Sequence, residues 1–344
     1  MAGDNMKSIQ TVTGAIGYDD LGMTLMHEHI FVAFPGSEFD PRYRFDRQEF
    51  IDRATKRLKL LREYGVKTLV DPCPIELGRD VTLLKEVSER SEMQIICSTG
   101  FYYEEEGIPS YWRHVSMEEI AELYIREIEI GIDDTGIRAG IIKCATGAPR
   151  ITTLEERVLT AASVAQRATG VPILTHTEAG QCGPEQQDIF ETNGVPLQHC
   201  LIGHSCGNHD PAYHRRIAER GSYVGFDRIG LVRRDPDEIR AENVVKLTEA
   251  GYGSHVILSQ DAYCGWRGKF FFDPNKAEEI DQLRDTDQWP RQFTGLFLNF
   301  LPMLRSRGVS DEQIHEYLVE NPRNFFRSAH DKKEKADSLI QQET

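Results

Sequence analysis

Eight short apolar segments alternate with amphipathic segments along most of this 344-residue chain, and this alternation is the strongest constraint on its fold. The apolar segments cover residues 23–31, 66–73, 93–101, 139–147, 171–179, 199–205, 222–230 and 254–263. They contain continuous runs of Val, Ile and Leu rather than alternating polar and apolar residues, which is typical of strands buried on both faces. The pattern favours a parallel sheet covered by helices.

The segments between these strands have the spacing of helices. Residues 47–64 place apolar side chains at intervals of three and four, and Ser116 with Glu119 forms a capping box at the start of a helix over 116–130. Further helices are predicted near 80–91, 154–169, 184–193, 210–220, 236–250, 288–306 and 310–319. Glycine follows five of the helices, at positions 65, 170, 194, 221 and 251, and should end each of them.

A strand followed by a helix, repeated eight times, predicts a (β/α)8 TIM barrel that forms a single domain over residues 1–330. A doubly wound open sheet is the alternative, but no Gly-x-Gly-x-x-Gly follows the first strand to mark its nucleotide site. The turn NPRNFF (321–326) closes the domain. The polar segment 331–344 is expected to be a mobile tail or a frayed helix.

Composition argues against two classes of partner. The chain carries 40 Lys and Arg against 55 Asp and Glu, a formal net charge of -15, so we expect neither nucleic acid nor a membrane surface as a partner. No segment approaches the roughly 18 apolar residues of a membrane helix, and the first ten residues lack the apolar core of a secretory signal. The seven cysteines form no C-x-x-C pair. We therefore expect a cytoplasmic protein with reduced cysteines.

Histidines interrupt the ends of several predicted strands. His27 and His29 are two positions apart, so both side chains should point to one side of a strand while Glu28 points to the other. Three more polar residues stand late in the fifth, sixth and eighth strands: His176, His204 and Asp261. All five positions meet at the C-terminal mouth of a barrel. One histidine in an apolar strand is usually a core residue, whereas four histidines and a carboxylate at one end predict a metal site.

Lys143 lies in the apolar fourth strand, within the sequence GIIKC. Lysine is rarely buried without a partner, so a structural pair with a barrel carboxylate is one interpretation. In the other, burial and nearby metal ions lower the lysine pKa and leave a nucleophilic amine. Such an amine can add carbon dioxide to give a carbamate, whose two oxygens can bridge two cations.

These residues, in this order and spacing, resemble the phosphotriesterase family of the amidohydrolase superfamily, and most of all its phosphotriesterase-like lactonases. The resemblance extends from TVTGAIGYDDLGMTLMHEHIF through GIIKCATG, THTEAG, GHS, DRIG and LSQD to ENPRNFF. It implies two divalent metal ions at the C-terminal face of the strands: His27, His29 and Asp261 would bind the buried ion, His176 and His204 the more exposed ion, and carbamylated Lys143 would bridge them. A bridging hydroxide would attack the substrate, and Asp261 would take up the proton and return it to the leaving group.

Nitrogen and oxygen ligands with open positions suit zinc, with cobalt, manganese and iron as alternatives. Tyr102, at the end of the third strand, and Arg228, at the end of the seventh, resemble residues that lactonases of this family place beside the metals. A rim tyrosine and a structural Arg–Asp pair are the alternative interpretations. The resemblance implies a quorum-quenching lactonase acting on N-acyl homoserine lactones, with phosphotriesterase activity as a side reaction. A dedicated phosphotriesterase, another carboxylesterase and a metal-binding scaffold without activity are the other hypotheses, and a homodimer is expected by resemblance.

Two segments and one further residue bear on the choice of substrate. The second segment and the single residue also differ from the pattern of the family. The connection 262–287 contains Tyr263, Trp266, Phe270, Phe271 and Phe272, which could line a channel for an acyl chain or pack against the barrel or a second copy. Ser205–Asp210 replaces a turn with paired aspartates that relatives use in a proton relay. His209 or Asp210 could substitute for those aspartates, and Glu178 stands where lactonases often have a second histidine.

Overall fold

The computed structural model describes residues 8–232, 235–269 and 293–328. Its twelve described strands are β1 (Ser8–Thr11), β2 (Gly14–Gly17), β3 (Met23–Leu25), β4 (His29–Ala33), β5 (Val66–Asp71), β6 (Gln94–Gly100), β7 (Ile141–Thr146), β8 (Ile173–Thr177), β9 (Cys200–Ile202), β10 (Tyr223–Phe226), β11 (Val256–Leu258) and β12 (Tyr263–Arg267). The described α-helices are α1 (Arg47–Glu63), α2 (Val81–Ser91), α3 (Met117–Glu129), α4 (Thr153–Thr169), α5 (Gly183–Thr192), α6 (Pro211–Glu219), α7 (Asp237–Leu247), α8 (Leu301–Ser306) and α9 (Asp311–His315).

Eight strands form one parallel sheet in which every neighbour follows in chain order, from β3 through β5 to β11. Strand order never reverses, so the described sheet lacks the switch point of a doubly wound fold. The predicted (β/α)8 TIM barrel is confirmed, and the open-sheet alternative is wrong. The carboxyl ends of the eight strands therefore share one face of the barrel.

One buried side chain bridges the gap between the first and last barrel strands. The Glu28 carboxylate accepts hydrogen bonds from the Ser259 hydroxyl at 2.9 Å and from the backbone N–H groups of Gln260 and Ala262, both at 2.8 Å. Burial raises the pKa of Glu28 to about 8, although these donors favour the charged form. The Glu28 carboxylate thus forms hydrogen bonds between the first and last barrel strands, where a regular ladder would otherwise join β3 to β11.

The first predicted strand, 23–31, is divided in two. The chain leaves the barrel sheet after Leu25, bends at His27 and resumes as β4, which pairs with β12 in a separate two-stranded sheet. The interpretation that a single strand presents His27 and His29 on one face is therefore wrong. The bend, rather than strand periodicity, brings the two rings together, with centroids 5.5 Å apart.

The helices follow the predicted pattern closely. Ser116 and Glu119 form the predicted capping box at the start of α3. The five glycines predicted to end helices all have the positive φ of a helix stop, at positions 65, 170, 194, 221 and 251. The predicted helix 288–306 begins outside the described residues, which show a π-helical turn (Leu296–Phe300) that runs into α8. The turn predicted at 321–326 is wrong, since these residues are helical. None of the described helices is both long and apolar enough to cross a membrane.

The start of the predicted connection 262–287 is a strand rather than a loop. Tyr263 and Trp266 belong to β12, are 4% and 6% exposed, and pack edge to face with ring centroids 5.7 Å apart. They cluster with Val32 of β4 and the adjacent Phe34. The predicted channel residues Phe270, Phe271 and Phe272 lie outside the described residues, as does the predicted tail 331–344.

Both ends of the described chain cover the amino-terminal end of the barrel, which we call the floor. Ile9 from β1 and the consecutive Phe325 and Phe326 pack against apolar side chains from the barrel strands. Asp19 Oδ1 lies 3.5 Å from Arg323 Nε and 3.3 Å from Arg327 Nη2, and these ion pairs join the two ends at the surface.

The seven cysteines are all buried and free, so they pack as small apolar residues.

Candidate metal centre

The structure brings the predicted ligand residues together at the carboxyl ends of the barrel strands. Asp261 Oδ1 lies 3.4 Å from His29 Nε2 and 4.0 Å from His27 Nε2, and its Oδ2 lies 3.9 Å from His204 Nε2. Lys143 Nζ lies 3.3 Å from His27 Nε2. These atoms come from the first, fourth, sixth and eighth βα units, so only the closed barrel can assemble them.

The sixth predicted ligand, His176, lies in β8 and meets His204 edge to face, with ring centroids 4.5 Å apart. Lys143 lies in β7 and is 1% exposed. His204 and Asp261 follow the ends of β9 and β11 and adopt left-handed backbone conformations, with φ of 56° and 50°. Such conformations cost about 1–3 kcal/mol for non-glycine residues and cluster at functional sites.

Each of the four histidines has one ring nitrogen against a carboxylate. The four contacts are His27 Nδ1 to Asp227 at 2.9 Å, His204 Nδ1 to Asp227 at 2.9 Å, His176 Nε2 to Glu178 at 3.1 Å and His29 Nδ1 to Asp71 at 3.4 Å. The opposite nitrogen of each ring is then available to a cation. Carboxylates that orient imidazoles in this way are characteristic of histidine metal sites, so the donor set fits divalent cations.

The protonation states of three residues suit the same chemistry. Burial lowers the pKa of His27 to about 4 and that of His176 to about 3, so both rings are neutral at neutral pH. Burial also lowers the pKa of Lys143 to about 8, which makes the neutral amine accessible. Metal ligands must be deprotonated to bind, and these rings already are.

His29 and Asp261 form a more strongly coupled pair. Burial opposes charge on both residues, but their mutual hydrogen bond raises the pKa of His29 well above its usual range and helps hold that of Asp261 well below. The charge of Arg228 also lowers the Asp261 pKa. Binding of a cation between His29 and Asp261 would therefore release a proton from the His29 ring.

The two predicted substrate residues lie against this cluster. Tyr102 follows β6, and its ring meets the His176 ring edge to face with centroids 4.9 Å apart. Arg228 is 7% exposed, and its Nε donates to Asp261 Oδ2 at 3.1 Å. The Arg–Asp pair that the alternative interpretation expected is therefore present, and the carboxylate involved belongs to the cluster itself.

The residues considered as substitutes for the relay are engaged elsewhere. Asp210 caps α6 by accepting the Ala212 N–H at 2.9 Å, and His209 Nε2 contacts Asp235 at 2.5 Å on the surface. Glu178, at the position of the second lactonase histidine, contacts His176 and is 26% exposed.

Sequence reasoning overlooked the carboxylates that orient the rings. Asp71 ends β5 and Asp227 follows β10, so both occupy the same end-of-strand positions that pointed to the histidines. That position was the available signal. It could not show that one carboxylate, Asp227, serves two histidines from different strands.

Comparison with known proteins decides the family. The profile of the Phosphotriesterase family matches residues 7–326. This chain belongs to the phosphotriesterase family. The family contains metal-dependent hydrolases with a binuclear metal site, and the chain is a hydrolase that acts on ester bonds.

The names of similar proteins include a lactonase as well as hydrolases of organophosphorus compounds. The chain is 36% identical to a "Phosphotriesterase homology protein" of Mycobacterium tuberculosis, over 93% of this chain and 98% of that protein. It is 33% identical to an "Aryldialkylphosphatase" of Saccharolobus solfataricus (89% and 95% covered) and 31% identical to a "Phospho-furanose lactonase" of Mycoplasmopsis synoviae (97% and 95% covered). The solved "Organophosphorus Hydrolase from Deinococcus radiodurans" is 37% identical, with 95% and 100% covered and a TM-score of 0.86.

Proposed function

We propose that this protein is a binuclear metal-dependent lactonase that opens N-acyl homoserine lactones, a quorum-quenching activity, with weaker activity on phosphotriesters. The observation that carries the proposal is the placement of Tyr102 and Arg228. Both lactonase-type residues contact a candidate ligand. The Tyr102 ring packs edge to face against the His176 ring, and Arg228 donates a hydrogen bond to the Asp261 carboxylate.

The ligand assignment is the one that the resemblance to the family implies, and it is compatible with the ring nitrogen that each carboxylate leaves available. His27, His29 and Asp261 would hold the buried cation, and His176 with His204 would hold the more exposed one. Lys143, beside His27, would form a carbamate by adding carbon dioxide and releasing a proton, and this anion would serve both cations. The buried, partly neutral amine at 3.3 Å from His27 Nε2 supports this step. Zinc suits such nitrogen and oxygen donors, with cobalt, manganese and iron as alternatives.

When bound, two divalent cations lower the pKa of a water molecule and polarise the ester oxygen. Asp261 is suited to accept the proton and return it to the leaving oxygen, since its contacts with three buried histidines keep it beside the ligands. The Tyr102 hydroxyl can donate a hydrogen bond to the lactone because burial raises its pKa well above the usual range and keeps it protonated. Arg228 also holds the carboxylate, through the hydrogen bond from its Nε to Asp261 Oδ2.

A dedicated phosphotriesterase is the second candidate, favoured by the names of the Saccharolobus and Deinococcus relatives. The same cluster could also serve another carboxylesterase. A scaffold that keeps the metals without activity is disfavoured by the complete donor set. The homodimer and the cytoplasmic location remain predictions.

The test is a comparison of kcat/KM on a panel of acyl homoserine lactones and on paraoxon, with metal-reconstituted protein. Metal content is measured on the same sample, and about two ions per chain are expected. Lys143→Ala should lose both metal and hydrolysis, whereas Lys246→Ala, on the exposed face of α7, should keep both. A preference for paraoxon by orders of magnitude would refute the lactonase assignment, and one ion per chain would refute the role of Lys143.

A further inference from the structure

A buried carboxylate from a neighbouring loop holds Tyr102 by its backbone. Glu76 lies in the loop between β5 and α2, and its Oε1 accepts the Tyr102 N–H at 2.7 Å. We infer that Glu76 is a positioning residue that fixes Tyr102 against the candidate metal centre. The inference rests on the proposed function, since it concerns the part that Tyr102 plays in lactone hydrolysis.

A second carboxylate holds the same stretch of chain from the other side. Glu155, in the first turn of α4, is 1% exposed. Its Oε1 accepts the backbone N–H groups of Glu104 at 3.2 Å and Gly147 at 3.0 Å. The segment Tyr102–Glu104 is therefore held by residues of the second and fourth βα units, although it belongs to the third. These backbone hydrogen bonds fix the main chain at Tyr102, and therefore the point from which its side chain extends.

The chain also folds back over the contact with Glu76. The Gly107 N–H donates to the Tyr103 carbonyl at 3.0 Å. A Cβ atom at Gly107 would lie 2.5 Å from Tyr102 Cβ and 2.6 Å from Glu76 Oε1. Only glycine leaves room for the three residues to meet, so the contact between Glu76 and Tyr102 is enclosed on this side.

No ion pair of Glu76 with another described residue explains the burial of its carboxylate. Its Oε2 is buried and lacks a hydrogen-bond partner among the described residues. Arg79, on the same loop, pairs instead with Glu127 through two bonds of 2.5 and 2.7 Å. Burying a carboxylate with few partners costs stability. The contact with Tyr102 is the role that remains for it.

The acceptor oxygen, rather than the charge, is the feature that matters. Burial raises the pKa of Glu76 to about 7, while the Tyr102 N–H and the charge of Arg79 lower it in part. Both the acid and the carboxylate keep an oxygen that can accept the Tyr102 N–H. Glutamine offers the same oxygen at the same distance from the backbone and should replace Glu76, whereas alanine should not.

The experiment is a double-mutant cycle on the metal-loaded protein, with an acyl homoserine lactone as substrate. Glu76→Ala should lower kcat roughly 10- to 100-fold with unchanged metal content, because a misplaced group near the reacting atoms costs about this much. Glu76→Gln should stay within about threefold of the wild type, since it keeps the hydrogen bond. In a Tyr102→Phe background, Glu76→Ala should cost less than about threefold, because the hydroxyl that it positions is already gone.

Gly107→Ala provides an independent route, since its new methyl group presses on both partners, and it should lower kcat in the same direction. It also keeps the inference testable if Glu76→Ala does not fold. Equal losses from Glu76→Ala with and without the Tyr102 hydroxyl would overturn the inference, as would full activity of Glu76→Ala or of Gly107→Ala. Failure of the proposed function is distinguishable, because the wild-type protein would then hydrolyse no lactone at all.

Discussion

Asp227→Asn is the sharpest test of the candidate metal centre. The two oxygens of Asp227 accept three hydrogen bonds, from His27 Nδ1 at 2.9 Å, from His204 Nδ1 at 2.9 Å and from the His204 backbone N–H at 2.8 Å. Asparagine has only one acceptor oxygen. Its NH2 group would face a ring nitrogen that donates a hydrogen bond to Asp227 in the wild type. One of the two rings must therefore lose its orienting partner or change its tautomer.

The size of the effect follows from this loss of one partner. Removing a group that orients a histidine ligand typically lowers metal affinity by about 10- to 100-fold, or roughly 1.4–2.7 kcal/mol. His27 and His204 are assigned to different cations, so the weakening should fall mainly on one of the two. We expect one cation to be released at a clearly lower chelator concentration, while the other is held almost as in the wild type.

The assay is chelator competition on the zinc-loaded protein, with zinc release followed by a colorimetric indicator. Glu178→Gln is the matched control, because a single ring depends on Glu178 and the glutamine oxygen can still accept from His176 Nε2. Circular dichroism of both variants checks that they are folded. Equal zinc retention by the Asp227→Asn and Glu178→Gln proteins would refute the claim that Asp227 orients two ligands.

Three further predictions concern stability. Phe326→Ala, which empties a fully buried position in the floor, should lower the free energy of unfolding by about 3–5 kcal/mol in urea denaturation, with little change in kcat. Glu76→Gln should remove a pH dependence: the folded-state pKa of about 7 exceeds the ordinary 4.5, so the folded state binds more protons between these values and the wild type loses stability as pH rises through them. The loss is at most about 3 kcal/mol, and urea denaturation of both proteins near pH 5 and pH 8 measures it. Removing the metal ions by dialysis against a chelator should lower Tm, and adding zinc back should restore it, because cations that bind only the folded state stabilise it.

Much of the scaffold could be predicted from residue patterns because local physics determines it. Glycines at 65 and 170 end helices because they adopt positive φ without steric cost, and Ser116 with Glu119 begins α3 through a local capping box. The end of the barrel that carries the candidate metal centre could be predicted for a related reason. Polar residues that end otherwise apolar strands have one common place to meet in this fold.

The division of the first strand could not be predicted, because it depends on contacts far away in the chain. The apolar pattern of 23–31 continues through His27 without a glycine or proline, yet Glu28 is drawn across to Ser259 and Gln260 and the ladder breaks there. The strand β12 was hidden for the same reason, since its partner β4 exists only after that break. Likewise, the positions of Glu76 and Asp227 were visible, but their partners were not.

The floor has a practical consequence for how this protein can be handled. Both described ends of the chain meet at the pole opposite the candidate metal centre, where Asp19 contacts Arg323 and Arg327. A fusion partner or a surface tether attached at either described end would start from the far side of the barrel and leave the mouth accessible. For the same reason, joining the two ends and opening the chain in the turn between α3 and β7 should give a circular permutant that keeps the barrel and its mouth.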